Sequence, residues 1–374
     1  MKRFLLYVAF ITLGLCSCIT QVRDFEQIGS NSFLTVEASL SNQAGPQRVI
    51  ISFSSPSITI NVENKPVNFA QVFITDDKGG RENLFEMGDG IYETSANYKG
   101  IVGNSYKLNI VLADGKKYQS TSEKMLAAPK IDKINTMFVV QNKFPLTDVR
   151  SMGHDVTLNF KDSPEPNQYY QWKWIHYSRT VYCASCERGY DYDLRKCSVG
   201  LDYPSGQSPP ELINYLCNES CFDILYSSTY NILSDNLFNG QLITDYPIAR
   251  VPFNGRSLYY LKIEQRAISK KMYEYFRSVK TVAQDAGTLF DVPAETQFSP
   301  NIFSVENPNE KILGAFEVFG SDEELIYIDR NDVAAQKYSP VRIVYRGMQI
   351  PSGSKAYCTE GKYRTKKEPN DFKE

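Results

Sequence analysis

The chain has 374 residues, of which 42% are hydrophobic and 22% are charged, an ordinary balance for a globular protein. This length leaves room for two domains. Lysine and arginine number 41 against 43 aspartates and glutamates, a formal charge of -2. Such a near balance argues against nucleic acid or an anionic membrane surface as the partner. The 25 tyrosines and 21 phenylalanines favour a strand-rich structure.

Residues 1–17 have the pattern of an export signal. Lys2 and Arg3 supply a positive start, and an apolar run follows over residues 4–15. This run is too short to span a membrane, which takes about 20 apolar residues. An N-terminal segment of this kind directs the mature chain out of the cytoplasm.

The end of the signal favours lipidation. A lipoprotein signal peptidase requires an aliphatic residue three positions before the acylated cysteine and a small residue directly before it. Leu15 and Ser17 stand in those places for Cys18. We therefore predict cleavage ahead of Cys18, lipid on that cysteine, and a polar tether over residues 18–32. The alternative is an ordinary secretory signal in which the cysteines are incidental.

Residues 33–128 are predicted to form an immunoglobulin-like β-sandwich. Short segments rich in β-branched and aromatic residues alternate with turn sequences, and none has helical periodicity. Asp114-Gly115 is a strong two-residue hairpin signal. About seven short strands without a helix are typical of such a sandwich. The predicted strands lie at residues 33–38, 48–53, 70–74, near 84–85, 91–94, 105–112 and 116–122.

A larger β-rich domain is predicted at residues 129–360, after a linker near residues 127–130. One long helix is predicted within it, capped at its start by Ser269 and ended by Gly287. Residues 361–374 are highly charged, and we expect them to be a frayed polar tail. The strands predicted in this part lie at residues 156–160, 169–177, 257–265, 312–318 and 325–328.

Six cysteines follow Cys18, and an even number in an oxidising compartment predicts disulfide bonds. They are Cys183, Cys186, Cys197, Cys217, Cys221 and Cys358. Their pairing cannot be read from the sequence. As an alternative, the first two could join Cys217 and Cys221 around zinc, but the spacing fits metal ligation only approximately. A CxxC redox pair would be expected near a βαβ unit, which this region lacks.

The sequence offers few catalytic groups. His154 and His176 belong to no HExxH motif, and neither has a recognisable partner in the sequence. Residues 352–355 match the SxxK pattern of penicillin-binding enzymes, but they follow a proline in a turn-like stretch rather than opening a helix. We therefore predict that the protein is not an enzyme and carries no cofactor or metal.

Three aromatic residues are candidates for stacking on a ligand. Tyr170, Trp172 and Trp174 occupy alternate positions of the predicted strand 169–177, so they share one face. That face could stack on a sugar or a peptide. Two tryptophans at alternate strand positions belong more often to a core, which is the interpretation we favour.

Several short segments follow one another along the chain in a recognisable order. After Cys221 come YYLKIEQ at residues 259–265, MYEYF at 272–276, GTLFDVP at 287–293 and ILGAF at 312–316. The N-terminal half adds FLTVEA at residues 33–38 and DGKKY at 114–118. This series resembles a family of Bacteroidetes envelope lipoproteins, the domain of unknown function 4249, over nearly the whole mature chain. The C-terminus departs from that family's paired cysteines and terminal Phe-Trp, which leaves the pairing of Cys358 open.

The resemblance implies an outer-membrane location, often beside TonB-dependent β-barrel receptors, and carries no known catalytic residues. We predict an outer-membrane lipoprotein that acts as a non-catalytic binding or accessory subunit in nutrient uptake, on either face of the membrane. A surface structural or adhesion lipoprotein is the alternative. An envelope hydrolase is a further one, since the 43 carboxylates could include an acid/base pair.

Overall fold

A computed structural model describes residues 32–54, 64–141, 151–187, 189–198, 213–285, 297–340, 348–349 and 355–373. The predicted signal peptide, Cys18 and nearly all of the tether lie outside these residues, as do Gly287 and the GTLFDVP segment. In the described part the chain is mainly β with one α-helix, as the sequence predicts.

The strands of the first half are β1 (Leu34–Ser41), β2 (Arg48–Phe53), β3 (Lys65–Pro66), β4 (Gln71–Asp76), β5 (Arg81–Asn83), β6 (Phe85–Gly88), β7 (Ile91–Glu93), β8 (Ser105–Val111), β9 (Lys117–Ser120), β10 (Glu123–Lys124), β11 (Ile131–Gln141), β12 (Ser151–Lys161) and β13 (Tyr169–Arg179). Those of the second half are β14 (Tyr182–Cys186), β15 (Tyr190–Asp191), β16 (Lys196–Cys197), β17 (Ile213–Cys217), β18 (Phe222–Tyr226), β19 (Asn231–Ser234), β20 (Leu242–Pro252), β21 (Leu258–Ala267), β22 (Ile302–Ser304), β23 (Ile312–Asp329), β24 (Met348–Gln349), β25 (Lys355–Ala356) and β26 (Arg364–Thr365). The helix, α1, spans Lys270–Asp285.

The largest sheet among the described residues has eleven strands, in the order β26-β18-β13-β21-β23-β1-β2-β7-β6, with β19 beside β13 and β3 beside β2. Its central strand is β23, which has 18 residues. The first part of β23 pairs in parallel with β1, and the second part pairs antiparallel with β21. The sequence predicts two separate strands here. The structure differs because the residues between them continue the pairing with β21.

The N-terminal part of the large sheet packs against a six-stranded sheet of order β22-β9-β8-β4-β5, with β10 beside β8. Val36 and Ile51 from one sheet and Ile74 and Leu108 from the other meet in a shared core. Two of these strands, β22 and β23, come from beyond residue 300, so the region predicted as a sandwich at residues 33–128 shares its sheets with late segments. Its immunoglobulin-like character stays a prediction.

A second pair of layers forms the other half of the molecule. The three-stranded sheet β11-β12-β20 covers the part of the large sheet built from β13, β21 and the end of β23. Val156 and Phe160 of β12 pack there against Trp172 and Leu261. Strands β11 and β20 are not among those predicted from the sequence.

The cysteine-rich region forms a small unit of its own from β14, β17, β24 and β25, with β15 paired to β16. The C-terminal tail is attached beside it rather than frayed as predicted. Phe372 packs against Phe222, with ring centroids 5.0 Å apart, and the Lys373 N–H donates to the Tyr327 hydroxyl at 2.9 Å. The tail is therefore held on the sheet by these contacts together with the pairing of β26 with β18 and the ion pair between Arg364 and Asp223 at 2.6 Å.

Helix α1 lies on the other face of the large sheet from the two smaller sheets. Its Met272 and Phe276 pack against Tyr169 and Phe319 of that face. Ser269 caps the start, as predicted, since its Oγ accepts the Met272 N–H at 3.3 Å. Among the described residues, no helix is both long and apolar enough to cross a membrane.

Candidate binding groove

One face of the large sheet is polar and partly open. Along β13, Tyr170 and Trp172 enter the core beneath the three-stranded sheet, whereas Gln171 and Lys173 lie on the opposite side. This is the alternation that a strand imposes on successive side chains. We call the side that carries Gln171, Lys173 and α1 the outer face.

Two adjoining cavities on the outer face form a groove. Their volumes are 560 and 450 Å³, and they share Lys173, Tyr230 and Arg266. The first lies between α1 and strands β1, β2 and β23, and the second lies between residues 226–230 and strands β13, β21 and β23. Both volumes are typical of ligand sites, which measure about 300–1,000 Å³. We call the two cavities together the outer-face groove.

Ion pairs organise the middle of the groove. Arg266 donates to Glu264 (Nε to Oε2, 2.8 Å) and to Glu317 (Nη1 to Oε2, 3.2 Å). The Lys173 ammonium lies 3.6 Å from the same Glu317 oxygen. The four side chains come from β13, β21 and β23, which bring them together across the sheet. They form one connected network rather than isolated pairs.

The groove as a whole is electrically balanced. Towards its far end, Lys262 pairs with Glu323 at 2.6 Å. The lining contains four cations and four carboxylates: Arg48, Lys173, Lys262, Arg266, Glu37, Glu264, Glu317 and Glu323. The formal charges of these eight side chains sum to zero, and Arg48 also pairs with Glu93 outside the lining at 2.6 Å.

Burial changes the acidity of several groups in the groove. It lowers the pKa of Lys173, and attraction to Glu317 opposes that shift. It raises the pKa of Tyr230 and of Tyr275, which keeps both hydroxyls protonated at neutral pH. The tyrosines therefore offer neutral hydroxyls beside the ion pairs.

Two residues of the groove lining each carry a buried polar atom that lacks a hydrogen-bond partner. Gln171 is 1% exposed and lines the second cavity, and its Oε1 accepts no hydrogen bond. Thr35 lines the first cavity, and its buried Oγ1 has no partner either. Buried polar groups are normally satisfied, so these two atoms are exceptions in the sheet.

Trp174 lies at a break in the sheet. The edge of β13 away from β21 pairs with β19 as far as Trp172 and with β18 from Ile175 onward. Residues 227–230 therefore leave the sheet between β18 and β19. Trp174 and Ser227 are held together here by backbone contact, since the Ser227 N–H donates to the Trp174 carbonyl at 3.0 Å. Trp174 is half-buried and its side chain packs against the core beneath the three-stranded sheet, while the residue borders the 450 Å³ cavity and a 470 Å³ cavity on the side of that sheet.

The three candidate stacking residues therefore differ. Tyr170 and Trp172 are 0% and 1% exposed and pack in the core, which leaves no face for a ligand. Trp174 alone of the three reaches a cavity. Sequence reasoning missed the polar residues of the groove, although Lys262, Glu264 and Arg266 alternate along one strand. The alternation predicts a polar face but not which other strands lie beside it.

One protein family matches the chain over most of its length. The model of the family described as Domain of unknown function (DUF4249) matches residues 21–324. The chain belongs to this family. The resemblance seen in the sequence is thus confirmed, and every residue that lines the outer-face groove lies within the DUF4249 region. No curated protein matches the chain.

The six cysteines form three disulfide bonds: Cys183–Cys217, Cys186–Cys197 and Cys221–Cys358. The first two lie inside the DUF4249 region. The third reaches beyond it, which answers the open question about Cys358. Three of the sulfur atoms lie within 4.8 Å of one another, those of Cys183, Cys221 and Cys358. All three are already bonded to another sulfur, so they are disulfide sulfurs rather than thiolates that could bind zinc.

The two histidines lie apart from the groove. His154 is buried, and its Nε2 lies 3.1 Å from an Asp332 oxygen, a partner that the sequence did not reveal. His176 stacks on Tyr259 at 3.6 Å between ring centroids, and its Nδ1 lies 2.7 Å from the Tyr260 carbonyl oxygen. Burial lowers the pKa of His176 to about 4, so this ring is neutral at pH 7.

The residues of the SxxK pattern at positions 352–354 lie outside the described part of the chain. Ser234-Asp235-Asn236, an SDN tripeptide like the one that accompanies SxxK in penicillin-binding enzymes, opens a short 3₁₀ helix. The Ser234 side chain accepts the Asn236 N–H there, as an ordinary helix cap does.

Proposed function

We propose that this protein is an outer-membrane lipoprotein, anchored through lipid on Cys18, that binds a ligand rather than transforming one. It serves as an accessory subunit beside a TonB-dependent β-barrel receptor in nutrient uptake. The signal sequence supports the anchor, and the resemblance to envelope lipoproteins that often accompany such receptors supports the partner. The observation that carries the binding role is the outer-face groove.

The composition of the groove supports binding over catalysis. Glu264, Glu317 and Glu323 each lie against a cation, so their oxygens are engaged in ion pairs. A general acid or base must instead reach the proton that it transfers on the substrate. Paired side chains of this kind offer fixed donors and acceptors. They suit recognition of a polar ligand that is later released to a receptor.

A crosslinked pull-down from native outer membrane tests the proposal. The tagged, lipidated chain is crosslinked in intact cells, and the proteins recovered with it are identified by mass spectrometry. We expect a β-barrel receptor in about equal amount. Recovery of the lipoprotein alone, while a known receptor complex in the same membrane is crosslinked, would contradict the accessory role and favour the structural or adhesive alternative.

A Cys18→Ala variant provides the control for the anchor. Without lipid, the chain is expected to leave the outer-membrane fraction and to lose the receptor from the pull-down, because a lipid anchor holds the protein at the membrane surface. Full retention of this variant in the outer membrane would contradict lipidation at Cys18.

A further inference from the structure

We infer that this protein forms a two-fold symmetric dimer in which the β11 strands of two copies pair antiparallel. The inference goes beyond the proposed function, because it concerns a different surface and a different partner. Three features of β11 carry it: the length and composition of the strand, its free backbone groups and the exposed Met137 near its middle.

Strand β11 is an unprotected edge of the three-stranded sheet. In the described part of the chain it pairs with β12 alone, and it has eleven residues. The segment from Ile134 to Gln141 contains no charged residue, proline or glycine. A long edge strand of this composition is a template for pairing with another chain, and proteins normally block such edges.

Other edges of this fold are blocked or short. The opposite edge of the same sheet, β20, also has eleven residues, but it contains Pro247, Pro252, two irregularities of register and Asp245 with a φ of +53°. Prolines and bulges of this kind prevent a further strand from being added. The strands that end the other sheets have five residues or fewer. Among the described strands, β11 is therefore the one long edge without protection.

The register of the sheet shows which backbone groups of β11 are free. The Phe253 N–H donates to the Met152 carbonyl at 3.1 Å, so the backbone groups of Met152 face β20. Those of the next residue, Gly153, face β11 and its partner Val139, because backbone groups alternate between the two sides of a strand. By the same alternation, the residues of β11 whose backbone groups point away from β12 are Ile134, Thr136, Phe138 and Val140.

Antiparallel pairing centred on Met137 uses all four of these residues. Ile134 then lies opposite Val140 of the second copy, and Thr136 lies opposite Phe138 of the second copy. Each of the four resulting pairs exchanges two hydrogen bonds, about eight in all. Met137, whose side chain is 64% exposed in the single chain, meets Met137 of the second copy at the two-fold axis. The register that completes the ladder thus also covers this exposed side chain.

The chemistry of the edge favours a second copy as the partner. Because the segment from Ile134 to Gln141 is uncharged, two copies meet without like charges opposite each other. A two-fold contact requires a surface that complements itself, and an antiparallel pair of identical strands meets this requirement. Lipid on Cys18, as proposed above, would hold the copies in one membrane and raise their effective concentration.

Cysteine crosslinking in intact outer membrane tests the pairing. In the register centred on Met137, the two copies of residue 137 form a pair without hydrogen bonds, with Cα atoms about 4.5 Å apart. A disulfide bridges Cα separations of about 4.4–6.8 Å. Met137→Cys should therefore give a disulfide-linked dimer under mild oxidation. Leu242→Cys is the matched control, because Leu242 is 56% exposed on the protected edge β20, and we expect it to crosslink far less.

Three variants weaken or preserve the dimer without changing the hydrogen bonds of the single chain. Thr136→Pro removes an N–H that points away from β12. Met137→Lys places like charges opposite each other at the two-fold axis, whereas Met137→Leu keeps the apolar contact. The first two should raise the Kd of the dimer by at least about tenfold, and the third should leave it nearly unchanged.

Light scattering that separates protein mass from detergent mass measures this equilibrium on the full-length, lipidated protein. Urea unfolding of each variant, at a dilution where the protein is monomeric, checks that the variant still folds. A monomer at every concentration up to about 100 µM overturns the inference. So does a dimer that Thr136→Pro and Met137→Lys both leave unchanged, or equal crosslinking of Leu242→Cys.

A photo-crosslinking residue at position 137 identifies any other occupant of the edge. Attachment to a second copy of the chain supports the dimer. Attachment to a β-barrel receptor, or to another segment of the same chain, would show that something else covers β11 and would overturn it. A receptor recovered with a monomeric lipoprotein would leave the accessory role standing and overturn the dimer alone. A dimer recovered without a receptor would do the reverse.

Discussion

Trp172 donates its indole N–H to the side-chain oxygen of Gln265 at 2.8 Å, and Gln265 in turn donates to the Pro129 carbonyl at 2.7 Å. Trp172 and Gln265 are 1% and 0% exposed. This chain of two hydrogen bonds connects the core of the second half to the segment that arrives from the N-terminal sandwich. Both hydrogen bonds depend on Gln265, and a buried donor or acceptor that loses its partner is costly.

Replacing Gln265 by leucine is therefore expected to lower the free energy of unfolding by about 2–4 kcal/mol. The substitution leaves the Trp172 N–H unsatisfied in the core and removes the donor to the partly buried Pro129 carbonyl. Urea unfolding followed by tryptophan fluorescence measures the loss. Gln336→Leu is the control, because Gln336 is exposed and should change stability by less than about 0.5 kcal/mol. Equal losses in the two variants would contradict the structural role of Gln265.

Gly314 of β23 allows the parallel pairing with β1. Its φ is +84°, and a Cβ there would lie 2.1 Å from the Val36 carbonyl oxygen. Gly115 also has a positive φ, +90°, but a Cβ at that position would have nothing within 4 Å. Gly115→Ala should thus cost only the backbone strain of about 1–2 kcal/mol. Gly314→Ala should cost at least about 2 kcal/mol more, since the strand must also move. Similar unfolding free energies for both variants would show that β1 and β23 are not this close.

Local features of this fold could be predicted from the sequence. β2 is found at the residues predicted for it, Lys116 follows a hairpin turn at Asp114-Gly115, and Ser269 caps the helix. Each depends on residues a few positions apart. The pairing of Leu34 with Ile312 does not, because nothing in either segment specifies a parallel neighbour from the other end of the chain.

The outer-face groove could not be predicted from the sequence for the same reason. Alternation along β13 predicts that Lys173 lies opposite Trp172, but Glu317 comes from a strand more than 140 residues away. Trp174 shows a second limit. It shares a face with Tyr170 and Trp172, yet it borders a cavity because β18 and β19 separate beside it. Strand periodicity indicates a face but not where the neighbouring strands stop.

The disulfide between Cys221 and Cys358 closes the longest loop, with a sequence separation of 137 against 11 for Cys186–Cys197. Peptide mapping without reduction should recover peptides in which Cys221 is linked to Cys358 and Cys186 to Cys197. Replacing both cysteines of the long pair by serine should cost about 5 kcal/mol, against about 3 kcal/mol for the short pair, because the longer loop restricts the unfolded chain more. Unfolding in urea measures both. The reverse order of stability, or a peptide that links Cys358 to another cysteine, would contradict this pairing.

His176 should make the stability of the folded chain depend on pH. Its pKa is lowered to about 4 by burial, whereas an exposed histidine titrates near 6.5. Between these values the unfolded chain binds the proton and the folded chain does not, so the free energy of unfolding falls as the pH falls from 6.5 to 4. The loss amounts to at most about 3.5 kcal/mol, since each pKa unit corresponds to about 1.4 kcal/mol.

A His176→Phe variant isolates this contribution. Phenylalanine keeps an aromatic ring over Tyr259 but does not titrate, and the carboxylates that also respond to acid are the same in both proteins. Urea unfolding at several pH values should give curves that run parallel above pH 7. Below about 6.5 the unaltered protein should lose stability more steeply than the variant. Parallel curves down to pH 4 would mean that His176 accepts a proton in the folded state as readily as in the unfolded one, and so that the ring is not buried against Tyr259.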